Sequence, residues 1–285
     1  MKKITLIALV LSMQSVFAQV NRFVYQVTMK PDAENKSDIK TENAYLDISQ
    51  EKSVFYSENR VKRDSIMQKT FQSGGAISFN RDQMEGLRSN INYSVEKDKK
   101  DQKIFFKDRL GRDMYSYEED RPLTWKILPE TTKIGDYKVQ KAETDFGGRK
   151  WTAWFTTDLS YQDGPYKFNG LPGLIVKVED SQGDYSFDLM KNYKIAAFPT
   201  MNQFGNIIKV KRADYLKQQK KFFEDPMSFM TQGGGGFAQT RIGGGERGVT
   251  GPRGNGGRNP ADLRKRMEER VKSEAKKNSN PIELP

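Results

Sequence analysis

From Val20 onward, apolar residues recur at every second position in short runs separated by polar turns, and this period of two commits most of the chain to β-structure. Phe23, Tyr25, Val27 and Met29 open the series, Ala44, Leu46 and Ile48 repeat it, and Ser53 to Ser57 gives a third run, together an antiparallel meander. The polar stretch Pro31 to Lys40 reads as a loop, and Val61 to Gln68 as a weak helix or loop with a poor apolar stripe. Further strands are expected at Ala76 to Phe79, Ile91 to Val95 and Lys103 to Lys107, the last forming a hairpin with Asp113 to Tyr117. The block Glu96 to Lys103 is nearly all charged and reads as a solvated loop.

The middle of the chain carries the densest signals. Tyr137 to Phe146 and Lys150 to Thr156 are extended runs separated by Gly147-Gly148, a pair able to take positive φ at both positions, so a tight hairpin is predicted. Within the second run Trp151, Ala153 and Phe155 face one way and Thr152, Trp154 and Thr156 the other. An indole on each face means that Trp154 either packs under another element or walls a cavity, and a core position is the expectation. Pro172 and Gly173 fit a type II turn over Leu171 to Leu174, with positive φ at Gly173. Leu174 to Asp180 then pairs with Tyr185 to Leu189 through Ser181 to Asp184, and Asn206 to Val210 supplies one more strand. From Ala213 to Glu224 the period changes to that of a helix, with Tyr215, Leu216, Gln219, Phe222 and Phe223 on one side, and Pro226 stops it.

These elements predict a mainly β fold: a curved antiparallel sheet or half-open barrel covered by a helix near the C-terminal end. Around that domain the chain divides readily. Met1-Lys-Lys3, the apolar run Ile4 to Leu11 and Val16-Phe17-Ala18 form the three parts of a signal peptide, so residues 1–18 are expected to be cleaved near Ala18 and the protein exported. A membrane anchor is the competing reading, but the apolar run is too short to cross a bilayer. The β-rich domain is placed at residues 19–230. Residues 231–260 hold twelve of the 24 glycines and few apolar groups, which predicts a disordered Gly/Arg-rich linker, and residues 261–285 a short charged helix and terminal segment.

Absent residue types narrow the chemistry. With no cysteine there is no disulfide, thiol nucleophile or lipidation site, so the exported chain is not a lipoprotein. With no histidine the Ser/His/Asp triad and the usual zinc sites are excluded. No catalytic, cofactor-binding or metal-binding residue is therefore assigned, and no cofactor is expected. Removing the signal peptide leaves 46 basic against 37 acidic side chains, and Arg241, Arg247, Arg253 and Arg258 stand in the glycine-rich segment against the single acid Glu246. Such a basic tail suits an anionic lipid, a glycan or an acidic partner, while nucleic acid lies in the wrong compartment for an exported protein.

Gly170-Leu-Pro-Gly-Leu-Ile175 is similar to the signature of the GLPGLI family of secreted bacterial proteins. The resemblance extends to Tyr137 to Ala142, Phe146 to Arg149, Trp151 to Phe155, Gly164-Pro-Tyr-Lys-Phe168 and the terminal Asn280-Pro-Ile-Glu-Leu284. It departs at Val139, where relatives often carry a cysteine. The resemblance implies export to the periplasm or outer membrane of a Gram-negative cell and a mostly antiparallel β fold, with no established activity.

The leading functional expectation is a non-enzymatic envelope protein that binds an amphipathic ligand or an outer-membrane protein, with Trp125, Trp151, Trp154, Phe155, Tyr166 and Phe168 as ligand or packing aromatics and Gly170, Leu171, Pro172, Gly173, Leu174 and Ile175 as a structural turn. An adaptor acting through its basic tail is the first alternative. A hydrolase using carboxylates such as Asp158 and Asp163 is the second.

Overall fold

A computed structural model describes residues 19–72, 85–111, 113–200, 207–226 and 277–284, with isolated positions between 229 and 273. The chain forms β1 (Val20–Met29), β2 (Lys40–Ile48), β3 (Lys52–Ser57), α1 (Glu58–Gln72), β4 (Ser94–Asp98), β5 (Lys103–Leu110), β6 (Asp113–Glu118), β7 (Lys126–Ile134), β8 (Tyr137–Phe146), β9 (Arg149–Thr156), β10 (Leu174–Asp180), β11 (Tyr185–Ile195), β12 (Ile207–Lys209) and α2 (Arg212–Glu224). All twelve strands belong to one open sheet in the order β12-β6-β5-β4-β3-β2-β1-β11-β10-β9-β8-β7. The expected meander and the three later hairpins are present, and β11 closes back on β1 so that the two halves of the chain share a central pair. Neighbours run antiparallel except the short β12, which lies parallel to β6. Register shifts at Val24/Tyr25, Ile175/Lys177 and Ile127/Thr131 bend the strands that carry them.

Curvature brings distant strands together over one large core. Phe23 and Tyr25 of β1, Phe55 of β3, Phe106 of β5, Trp151 and Phe155 of β9 and Phe187 of β11 all bury their side chains in it. The hollow between the strands is filled by the connection between β9 and β10, residues 157–173, which places Tyr166, Phe168 and Leu171 in the same core. Phe168 is the hub, edge-on to Trp151 at 4.8 Å and within 6.3 Å of Phe146, Tyr166 and Phe187. Burying each of these rings stabilises the fold by roughly 1.5–3 kcal/mol. A smaller core on the opposite face packs Val24, Tyr45, Val54 and Tyr56 against Val61 of α1 and Phe198. There Arg22 makes a two-pronged pair with Asp47 at 2.7 Å and also reaches Tyr56.

Three sequence expectations are corrected. Gly173 does not have positive φ; the residue that does is Gly170, at +84°. The turn is tighter than type II, with the Leu171 carbonyl accepting from Gly173 N–H at 2.8 Å, the three-residue closure that the fixed φ of Pro172 favours. Gly173 is needed for space instead, since a Cβ there would lie 2.0 Å from the Thr156 carbonyl oxygen. Trp154 is half-buried on the outer face between Lys177 and Lys141, because β9 keeps its alternation and the face it shares with Thr152 is not covered. Part of the charged block is strand β4, whose Lys97 is buried rather than solvated. Of the weak helix or loop expected over Val61 to Gln68 the structure forms the helix, α1, which is held at its first turn, where Ser57 Oγ accepts from Arg60 N–H, Tyr45 donates to Glu58 and Arg60 donates to the Asn92 carbonyl. The strand expected at Ala76 to Phe79, the signal segment and the Gly/Arg-rich linker lie outside the described residues.

Candidate functional site

At one end of the core two buried cations, Arg149 and Lys167, grip the C-terminal segment 280–284. Arg149 is the first residue of β9, directly after the hairpin turn in which Gly147 and Gly148 take φ of +59° and +73° as expected. Its guanidinium donates from Nη1 to Asp180 at 2.8 Å and Asp184 at 3.2 Å, and from Nη2 to the Asn280 side chain at 2.6 Å and the Pro281 carbonyl at 2.8 Å. Its Nε reaches the Ile282 carbonyl at 3.1 Å. Only the planar, multiply donating arginine can hold two carboxylates and three groups of a crossing peptide at once. Asn280 is read from every side: its N–H bonds the Pro31 carbonyl at 2.8 Å, its side-chain amide donates to the Lys30 carbonyl at 2.7 Å, and its carbonyl accepts from Tyr185 at 2.7 Å.

Lys167 is fully buried and sits on the filling connection next to Tyr166, which adopts φ of 54°. A left-handed conformation is uncommon for a tyrosine and is sustained here by burial on both sides. The ammonium donates to Glu119 at 2.6 Å, Glu283 at 2.5 Å and the Tyr117 hydroxyl at 2.8 Å, which uses all three of its hydrogens. The rings of Phe106, Tyr117 and Tyr166 surround it with centroids 4.9–5.3 Å away. Glu283 in turn accepts from Tyr166 at 2.5 Å, Arg121 at 2.7 Å and Arg212, the first residue of α2, at 3.3 Å. Leu284 N–H bonds the Gly147 carbonyl at 2.8 Å, and any Cβ on Gly147 or Gly148 would meet Glu283 or Leu284 at 2.9 Å. The glycine turn thus serves both the hairpin and the floor of this dock.

Electrostatics follow from the geometry. Burial would raise the Glu283 carboxyl, but Lys167, the Tyr166 hydroxyl and Arg121 pull it down to about 2. Burial lowers the Lys167 ammonium, and Glu283 and Glu119 recover only part of that loss. Both shifts are downward, which favours the charged form of the carboxylate and disfavours that of the ammonium, because the carboxylate faces three cations while the lysine is enclosed by rings. Glu283 is therefore ionised at neutral pH. A second buried lysine, Lys97, fastens the filling connection to β4 by donating to Asp163 at 2.6 Å and to the carbonyls of Gly164 and Phe168. Burial likewise lowers its ammonium, opposed by Asp163.

The aromatic candidates divide. Trp151, Phe155, Tyr166 and Phe168 meet in the core, and Trp125 packs half-buried against Phe168 while donating to the Asn169 carbonyl at 2.8 Å. Trp154 is apart from them. Gly170 to Ile175 form the exit of the filling connection into β10. Asp163 is engaged by Lys97 and Asp158 is exposed, so the two do not form a carboxylate pair facing a cleft. Arg241, Arg247, Arg253 and Arg258 lie outside the described residues. Among the described residues no cluster of three or more acidic side chains has metal-binding placement. Two cavities open away from the dock: one of about 160 Å³ beside Tyr56, Arg60 and Phe198, and one of about 360 Å³ lined by Thr131, Lys138, Val139 and Phe155. Sequence reading assigned no role to Arg149, Lys167, Asn280 or Glu283. The available signal was a lysine set between Tyr166 and Phe168 in an otherwise apolar stretch, which has to find an acid if it is buried.

Comparison with known proteins gives a short family match and a likeness of fold. A family profile described as a protein of unknown function (Porph_ging) matches residues 147–177, which run from the glycine turn through β9 and the filling connection into β10. No curated protein matches the sequence. Among solved structures the chain is similar to PNGF-II in its P21 crystal form, with 19% identity and a TM-score of 0.50 over 72% of this chain and 34% of that one. The C2 form of PNGF-II gives 18% identity and the same TM-score over 72% of this chain and 33% of that one. The chain therefore spans about a third of PNGF-II, and at this identity the likeness concerns the fold alone.

Proposed function

We propose that the protein is an exported, non-enzymatic adaptor of the Gram-negative cell envelope, a GLPGLI-type β domain that presents its Gly/Arg-rich segment to an anionic surface. The observation that carries this reading is the docking of Asn280 to Leu284. Phe229, beyond α2, packs on the core, and Ser279 to Leu284 are bound to the domain, so the basic segment is held by the domain on both of its flanks. Arg212 at the start of α2 and Glu283 lie 3.3 Å apart, which puts the domain's contacts with those two flanks together. Arg241, Arg247, Arg253 and Arg258 are then offered to an anionic lipid or glycan from a rigid base.

A carrier role for the concave face has less support, because its aromatics are packed against the filling connection. The hydrolase reading is weakened in the same way by the pairing of Asp163 with Lys97. Export itself rests on the three-part signal segment at residues 1–18. The test is sedimentation of the mature chain with phosphatidylglycerol vesicles. Binding should be lost in high salt and on replacing the four arginines by glutamine, with the unfolding midpoint unchanged. Salt-independent binding, or equal binding by the variant with the four glutamines, would reject the adaptor. An amphiphile retained in native mass spectrometry would transfer the function to the domain.

A further inference from the structure

We propose that the dock for Asn280 to Leu284 is a peptide-binding site that also accepts this segment from a second copy of the chain, linking copies through their C-terminal segments. The site is built by the body of the domain: the carbonyls of Lys30, Pro31 and Gly147, the side chains of Arg149 and Tyr185, and the enclosed Lys167. Its cations require an anion. Buried Lys167 and half-buried Arg121 and Arg212 converge on the one carboxylate of Glu283, and among the described residues of the body Glu119 shares their charge. Three cations at one enclosed place against a single carboxylate would be costly, so a segment carrying a glutamate at this position is favoured.

The occupant is equally well defined. Asn280 is recognised through both ends of its amide, Pro281 and Ile282 through their carbonyls, Glu283 through its carboxylate, and Leu284 through its N–H. Backbone pairing supplies affinity and the two polar side chains supply selection, as in other extended-peptide sites. Phe229, which packs on the core beyond α2, and Asn280 are separated by about 50 residues, and even at the rise of a helix, about 1.5 Å per residue, these reach on the order of 75 Å. That exceeds the width of a domain of this size, roughly 40 Å. Nothing in the length of the connection therefore confines the segment to its own dock. At low concentration the tethered copy wins because its effective concentration is in the millimolar range; crowding of copies moves the balance towards exchange. This inference does not depend on what the basic segment contacts.

The absence of cysteine makes the test direct. Ala33 N–H bonds Ser279 Oγ at 3.0 Å, so the two positions report docking at an exposed place beside the dock. Full-length chains carrying only Ala33→Cys are mixed with chains of different mass carrying only Ser279→Cys and oxidised at concentrations up to about 1 mM, the range of the tethered segment. The proposal expects crosslinks between the two kinds of chain at about ten-fold or more above crosslinks within each kind. Adding Glu283→Gln to the Ser279→Cys chain should remove that excess. A chain carrying both substitutions, kept dilute, calibrates the geometry through its internal disulfide. An internal disulfide without excess crosslinks between chains would overturn exchange, and failure of the internal disulfide in a folded chain would overturn the dock itself.

Discussion

Glu283→Gln tests whether the buried ion cluster does what its geometry says. The side chain keeps its shape and loses its charge, while Lys167, Arg121 and Arg212 remain around it. In the folded chain the carboxyl is held at about 2, against 4.5 for the ordinary group, so ionisation is favoured by folding. At about 1.4 kcal/mol per pH unit this amounts to roughly 3 kcal/mol at neutral pH. Because the folded value is depressed, that stability is present in full above pH 4.5 and disappears as pH falls through about 2. For a domain of this size the substitution should lower the thermal midpoint at pH 7 by roughly 6–12 °C. Measured by circular dichroism at pH 7 and again near pH 2, the gap between the two proteins should shrink to a small fraction of its neutral value. A gap of the same size at both pH values would mean that Glu283 acts through shape alone, and the electrostatic account of the dock would fail.

Gly173→Ala should destabilise by roughly 3 kcal/mol or more, since its Cβ would meet the Thr156 carbonyl at 2.0 Å and β9 would have to move, whereas Gly170→Ala should cost only about 1 kcal/mol for its positive φ in open space. Equal losses in urea unfolding would refute the close-approach argument. Trp151→Ala should cost about 3–5 kcal/mol, against about 1 kcal/mol or less for Trp154→Ala, because one indole is in the core and the other lies half-exposed between lysines. A Trp154→Ala loss as large as that of Trp151→Ala would place the second indole in the core after all.

Local patterns in the sequence were sufficient for most strands, because the period of two and the Gly147-Gly148 turn act over neighbouring residues. What they could not show was anything decided across the fold. Lys97 reads as part of a solvated run because its partner Asp163 is 66 residues away. Lys167 and Glu283 are separated by 116 residues, and neither position announces the other. Gly173 reads in the sequence as a positive-φ turn residue, whereas the constraint on it is an oxygen that belongs to a neighbouring strand rather than to the turn. Trp154 misled because an indole on an outer face is indistinguishable in sequence from one under a covering element. Asn280 to Leu284 carry no periodicity at all, and their importance comes from the groups that meet them.

The account rests on the C-terminal segment being part of the folded domain, and backbone hydrogen exchange measures this most directly. Asn280 and Leu284 donate their N–H groups to the carbonyls of Pro31 and Gly147, each at 2.8 Å. Both amides should exchange orders of magnitude more slowly than in a free peptide, with protection approaching that of the central pair β1 and β11, and Glu283→Gln should release both together. Exchange of Asn280 and Leu284 at free-peptide rates while β1 and β11 stay protected would show that the segment is not docked, and both the dock and the adaptor would have to be abandoned.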